Sequence, residues 1–341
     1  MNTQLRNLVF EGGGIKGLAY LGAMQVLEER KCLSGIKRVA GTSAGAINAL
    51  IYALGYSLQE QREILENTDF KKFQDNSVLG VFDVNRLIHK FGWNKGDYFI
   101  KWIEGLIEVK LGKKRATFQD LINANKLEFY VTGSNLSTGH VEIFSAEDHP
   151  DMAISDALRI SMAIPLYFTA VRYGERNDCY VDGGVILNYP VKIFDTLKYI
   201  AAEERAEAAP SIGANDHLKD DFSLYNSQTL GLRLDTAKEI SYFDKQSNKK
   251  SIKEKEEVEK ISNFFEYTKA LMYAMQSVQE QIHLSPEDWA RTMHIDILTV
   301  KTVDFNMTRE MKAKLVEQGN KGAEAFFNDA SKNKPYCNVV G

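Results

Sequence analysis

Two short apolar runs, each stopped by a glycine turn and followed by a helical pattern, occupy the first 55 residues and constrain the fold more than any other feature. The first run is Leu8-Val9-Phe10 and its turn is Glu11-Gly12-Gly13-Gly14-Ile15-Lys16-Gly17. Helical spacing then runs from about Ile15 to Arg30, with Leu18, Leu21, Gly22 and Leu27 able to share a face. The second run is Ile36 to Ala40 and its turn is Gly41-Thr42-Ser43-Ala44-Gly45. Ile47, Leu50, Ile51 and Leu54 follow at helical spacing until Gly55 ends the pattern. Strand, turn and helix twice in succession predict parallel strands joined by crossover helices.

Later strands are predicted at Phe129 to Thr132, Val141 to Phe144, Cys179 to Val181, Thr229 to Leu234 and Ile295 to Val300. A helix is predicted over Ser155 to Met162, ended by Pro165, and another after Thr308. Residues 56 to 125 read as mainly helical and loop-like; the aromatic residues between 91 and 102 suit either lipid contact or core packing. Asp244 to Lys260 carries six lysines and five acidic residues with almost no apolar content, and reads as a solvated helix face or loop, with partner binding as the alternative. At 341 residues and 44% apolar composition, the chain suits one central sheet with insertions.

A formal charge of -4 and a pI near 6.0 give no basic excess for nucleic acid to engage. Cys32, Cys179 and Cys337 form neither an even disulfide framework nor a metal-binding spacing, so a reducing compartment is expected. The N-terminus lacks the features of a secretion signal, although signal-independent export leaves no such mark. No apolar run reaches the ~18 residues of a membrane span. The expectation is a cytoplasmic protein with peripheral access to membranes.

Gly41-Thr42-Ser43-Ala44-Gly45 matches G-x-S-x-G between a strand and a helix, the context in which a sharp turn presents a serine hydroxyl as nucleophile. An ordinary helix N-cap serine is the plainer reading of Ser43. Gly12 to Gly17 also satisfies G-x-G-x-x-G, the dinucleotide fingerprint. Such an enzyme places an acidic residue at the end of the second strand, where this chain has Gly41-Thr42-Ser43. The preferred use of the loop is therefore an oxyanion site, with the backbone amides of Gly12, Gly13 and Gly14 facing charge that develops at Ser43. Lys16 either adds positive charge there or is a solvated helix residue. Asp182, at a strand end and followed by Gly183 and Gly184, is the candidate base; a surface turn is the alternative. A carboxylate of ordinary pKa is a feeble base for a hydroxyl, so the role requires a desolvated Asp182. His217 and His283 follow Asp182 and leave a Ser-His-Asp arrangement open by chain order, though none of the six histidines sits in a recognisable motif.

Taken together, these segments resemble the patatin-like phospholipase family and its bacterial members in particular. That family combines a D-G-G-G-x-R/K-G loop, a G-x-S-x-G serine and a D-G-A/G aspartate, here with Glu11 in the first position and Lys16 at the basic one. Ser161-Met162-Ala163-Ile164-Pro165 looks like its S-x-A-x-P segment and Asn188-Tyr189-Pro190 like its N-x-P. The matching blocks span residues 8 to 190, and resemblance weakens beyond them.

The resemblance implies a three-layer α/β/α sandwich with a central, mostly parallel sheet, formed by residues 1–341 as a single domain in which 191–341 completes the sheet and adds helices. It also implies a Ser43-Asp182 dyad without histidine, with Gly41 and Gly45 framing the nucleophile elbow and Lys16 and Gly17 supporting the loop. The implied activity is metal- and cofactor-independent hydrolysis of acyl esters in a phospholipid or lysophospholipid at a membrane surface. A regulated effector of the same fold, switched on by a protein or small-molecule activator, is the alternative, and oligomeric state is left open.

Overall fold

The computed structural model describes residues 3–75, 81–200, 224–246, 285–298 and 306–330, with isolated positions beyond these; of residue 3 and of residues 81–85 and 242–246 it describes the backbone alone. Its centre is an eight-stranded sheet. The strands are β1 (Asn7–Phe10), β2 (Arg38–Gly41), β3 (Glu128–Asn135), β4 (His140–Phe144), β5 (Val171–Tyr173), β6 (Asp178–Asp182), β7 (Thr229–Asp235) and β8 (Thr292–Asp296). Along the path β8-β7-β1-β2-β3 every pairing is parallel, whereas β4 and β6 pair antiparallel to β3 and β5 pairs antiparallel to β6. The predicted strand at Ile295 to Val300 begins earlier in the structure, at Thr292, because its register with Gly231 to Asp235 sets its limits. The second strand likewise begins at Arg38, after a turn in which Ile36 N–H donates to the Leu33 carbonyl.

One register relation positions the site. Val131 of β3 pairs with Gly41 of β2 on one side and with Phe144 of β4 on the other. Beyond Val131, β2 has ended but β3 continues, and residues 133 to 135 pair with Asp182, Val181 and Tyr180 of β6. Since β4 already occupies the far side of those residues, β6 takes the place that β2 vacates. Two residues past Gly41 in the direction of β2 is Ser43, at the level of Gly133, and Gly133 is also the partner of Asp182.

The helices used below are α1 (Tyr20–Glu29), α2 (Ala44–Ala53), α3 (Leu58–Asn67), α4 (Asp97–Leu111), α5 (Ile154–Ser161) and α6 (Arg309–Asn328). A six-residue 3₁₀ turn, Gly14–Ala19, leads into α1, so the predicted helix from Ile15 is tighter over its first turns. β1 alternates as a buried strand does: Leu8 and Phe10 face the main core beneath α1 and α2, and Val9 faces a second cluster with Ala40, Tyr130, Tyr189 and Phe194. Helix α6 packs on α1. A mostly parallel sheet covered on both faces is the three-layer α/β/α arrangement. Residues 247–260 of the charged stretch, and also His217, His283 and Cys337, lie outside the described residues; positions 244–246 belong to the helix Ala237–Gln246. Cys179 is a free thiol, but Cys32 is disulfide-bonded, which runs against the expectation of an unpaired set in a reducing compartment.

Candidate active site

β2 delivers Thr42 and Ser43 into a reversal so tight that only glycine fits beside it. A Cβ on Gly45 would lie 2.4 Å from the carbonyl oxygens of both Phe10 and Glu11, and one on Gly41 would lie 2.5 Å from Ala46 N. The strain falls on Ser43, which has φ 52° and ψ -125°, a conformation that L-residues rarely adopt. Its side chain makes no cap hydrogen bond to α2, so the N-cap reading of Ser43 does not describe its use. Thr42 closes the turn beneath it: its carbonyl accepts the Gly45 and Ala46 amides, and its hydroxyl meets the Thr132 hydroxyl at 2.7 Å.

The segment after α5 holds the two candidate catalytic residues from a third direction. The Ser43 N–H donates to Ser161 Oγ at 2.9 Å, and the Asp182 N–H donates to the Ala163 carbonyl at 2.9 Å. Between them, Met162 Sδ lies 3.5 Å from Ser43 Oγ. Three consecutive residues thus set the separation of the two backbones.

Asp182 is 4% exposed and Ser43 5%. One carboxylate oxygen, Oδ1, accepts the Gly184 N–H at 2.7 Å; the other, Oδ2, is buried with no partner within hydrogen-bond geometry. Burial pushes the Asp182 carboxyl up to about 7, against the downward pull of the Gly184 amide and the nearby Ser43 hydroxyl. No histidine hydrogen-bonds to either residue among the described residues. His294 Nδ1 is 2.7 Å from Asp235, and His149 Nε2 is 3.1 Å from Glu142.

The glycine loop stands against this pair: a Cβ on Gly12 would lie 3.3 Å from Ser43 Cβ. Its three amides are not equivalent. Gly12 N–H donates to the Asn188 carbonyl at 3.1 Å and is occupied, whereas Gly13 and Gly14 N–H have no hydrogen-bond partner among the described residues. The Ala44 N–H, first in α2, is also without one. Ala44 carries no side-chain chemistry that would mark it in the sequence, although the residue following the serine of G-x-S-x-G is a recurring oxyanion donor. Gly17 packs against Ala44 and Asn48 where the loop meets α2. Lys16, half-buried in the 3₁₀ turn, hydrogen-bonds through its own amide to the Gly13 carbonyl.

Glu11 is no passive flank. Its carboxylate accepts the Leu234 N–H at 2.7 Å and Asn188 Nδ2 at 3.2 Å, and lies 3.6 Å from the buried Arg233 guanidinium. Asn188 Nδ2 also donates to the Gly12 carbonyl at 3.2 Å, so this one side chain, with its backbone, grips residue 12 at both ends.

From Gly14 and Ala44 an apolar pocket of about 400 Å³, counting its open mouth, runs past Ile47 and Met162 to Leu65, Phe70 and Phe73. Phe99 is in the core, and Tyr98 and Trp102 pack on Phe73.

A strained serine at a strand-to-helix turn, a buried carboxylate beside it and a glycine loop with free amides thus meet at one place in the fold. The model of the patatin-like phospholipase family matches residues 8–195, and the chain belongs to that family. The uncharacterized protein YqhO of Bacillus subtilis is 29% identical over 331 residues, 94% of this chain and 97% of its own length. A cGAMP-activated phospholipase of Vibrio cholerae is 27% identical over 207 residues, 56% of each chain. The crystal structure of VipD from Legionella pneumophila superposes with a TM-score of 0.58 at 18% identity, over 95% of this chain and 67% of VipD, a likeness of fold. Among the described residues no helix is long and apolar enough to cross a membrane.

Proposed function

We propose that the protein is a lipid acyl hydrolase of phospholipase A or lysophospholipase type, working through Ser43 and Asp182. The observation that carries the reading is the buried Asp182 carboxyl, raised to about 7 at the level of a strained Ser43. At neutral pH such a carboxylate is a far better proton acceptor than one at the surface. Asp182 takes the Ser43 proton, Ser43 Oγ attacks the acyl carbonyl, and the amides of Gly13, Gly14 and Ala44 receive the oxyanion. The protonated Asp182 returns its proton to the leaving alcohol, and water, deprotonated in turn by Asp182, resolves the acyl-enzyme. No step uses a metal ion or an organic cofactor. The apolar pocket from Gly14 and Ala44 to Phe73 receives the acyl chain. We take residues 1–341 as one catalytic unit, since Glu11 is bonded to β7 and Asp195 to Arg291.

An activator-dependent form of the same enzyme is the second reading. Ser43 Oγ rests against Met162 Sδ while Asp182 Oδ2 stays unpartnered, so the hydroxyl has to turn from the sulfur to the carboxylate before its proton can move. The relationship to a cGAMP-activated phospholipase points the same way.

The test is fatty-acid release from mixed phospholipid vesicles by wild type, Ser43→Ala and Asp182→Asn with a chelator present. Release by wild type alone is the expected result. Undiminished release by either variant removes that residue from the mechanism, and loss of wild-type activity to the chelator overturns metal independence.

A further inference from the structure

The turn Phe70–Phe73 divides its four residues cleanly. Phe70 and Phe73, three apart on a 3₁₀ turn, line the far end of the apolar pocket, while Lys71 and Lys72 are exposed. The turn is fastened to the start of α4, where the Asp75 carboxylate accepts the Gly96 N–H at 2.8 Å and the Tyr98 N–H at 3.0 Å. The chain leading to that point, from the last turn of the helix Val81–Lys90 onward, carries exposed Lys90 and Lys95 together with two unusually bare apolar side chains, Ile88 at 62% exposure and Phe91 at 45%.

None of the four lysines has an ion-pair partner among the described residues. Over residues 69–75 and 86–98 the exposed carboxylates are Asp69 and Asp97, and Asp69 is partly engaged in capping Lys71 N–H at 3.2 Å. A chain of formal charge -4 therefore carries a locally cationic rim with apolar side chains set into it, beside its apolar pocket. Lysines attract an anionic bilayer surface over about a Debye length, and exposed apolar side chains enter the interface once contact is made.

We propose that Lys71, Lys72, Ile88, Lys90, Phe91 and Lys95 form the surface by which the protein docks on anionic phospholipid bilayers. Docking there sets the end of the pocket at Phe70 and Phe73 against the lipid from which substrate is drawn; that use rests on the hydrolase reading, whereas the docking does not.

The test is cosedimentation of the Ser43→Ala protein, which leaves lipid intact, with vesicles of pure phosphatidylcholine and with vesicles of equal parts phosphatidylcholine and phosphatidylglycerol. Preferential binding to the anionic vesicles, weakened by salt, is expected. The pair Lys71→Glu, Lys72→Glu on this background lowers it by about tenfold or more, and Ile88→Ser with Phe91→Ser lowers it at both low and high salt. Lys314→Glu with Lys321→Glu, on exposed positions of α6, serves as the charge control and leaves binding unchanged. Equal binding to both vesicle types, or undiminished binding by folded rim variants, overturns the proposal. Hydrolysis of a soluble short-chain ester by the rim variants with Ser43 intact separates the two ideas. Lost docking with retained hydrolysis upholds the docking surface, whereas docking by a protein that hydrolyses no ester strikes the hydrolase reading alone.

Discussion

Glu11, at the head of the glycine loop, and Asp182, at the end of β6, are both buried carboxylates, and their surroundings differ in kind. Glu11 is met by the Leu234 amide, the Asn188 amide nitrogen and the Arg233 guanidinium. Asp182 has one oxygen on the Gly184 amide and the other left bare. A buried carboxylate whose hydrogen-bond capacity is filled holds structure together, because removing it strands its donors. One left with an empty acceptor in a dry site is poised to take a proton. The same functional group thus anchors the loop at Glu11 and, in the proposed mechanism, takes the proton at Asp182, and its partners decide which.

The sharpest way to break that contrast is to neutralise each carboxylate without changing its shape. Asp182→Asn is expected to lower hydrolysis by on the order of 10⁴-fold while leaving the fold intact, as read by fatty-acid release beside circular dichroism. It also has a pH signature. A carboxyl whose folded pKa is raised above its unfolded value costs stability as pH climbs from the unfolded pKa to the folded one. For Asp182, with a folded pKa of about 7, the cost therefore develops between about pH 4 and pH 7 and is constant above. Its full size is on the order of 4 kcal/mol. Thermal unfolding near pH 5 and near pH 8 should show a wider gap for wild type than for Asp182→Asn; identical gaps would sink the assignment of a raised pKa. Activity should climb through about pH 7 as the base ionises.

Next in size is Gly45→Ala, whose added Cβ meets two carbonyl oxygens at 2.4 Å. Overpacking of about 1–3 kcal/mol and displacement of Ser43 are expected together, so a denaturant midpoint that does not move would contradict the tight elbow. Glu11→Gln should behave in the opposite manner to Asp182→Asn: a loss of about 2 kcal/mol of stability, with kcat reduced through the misaligned loop. A variant as stable as wild type would erase the distinction between anchor and base. The smallest effect belongs to Ser161→Ala, which withdraws the acceptor of the Ser43 N–H. About 1 kcal/mol of stability and roughly a tenfold fall in kcat with KM little changed are expected, and an unchanged kcat would remove Ser161 from the positioning of Ser43.

The local placement of the motifs was legible in the sequence. The two strand-turn-helix units are there, with the Ser43 turn between β2 and α2 and Asp182 at the end of β6. What the residues near each motif do not carry is pairing across the chain. That β6 fills the place β2 vacates depends on hydrogen bonds between residues about fifty apart, at Gly133 and Asp182, which no local pattern encodes. Nothing near Glu11 in the chain marks it as an anchor, because its partners at Leu234 and Arg233 are more than two hundred residues away. The Gly12 amide looked available because its acceptor, the Asn188 carbonyl, belongs to a distant loop. Short strands such as Val171–Tyr173 were missed for a related reason, since three residues stabilised by a neighbour leave no periodicity of their own.

The place of Asp182 is set by the pairing of β6 with β3, carried on by the Leu136 N–H donating to the Cys179 carbonyl and the Cys179 N–H to Ser137 Oγ, and by one bond to Ala163, and not by the length of chain that leads to it. Between Asn135 and Asp178 the polypeptide makes a long excursion through β4, α5 and β5, and its turn at Ser137 to Gly139 is exposed. Residues inserted at that tip add loop entropy that grows only slowly with length. The tip beyond Ser137, at Thr138 and Gly139, is thus a seam where a peptide tag or a whole domain is expected to splice into the chain while Ser43 and Asp182 keep their separation.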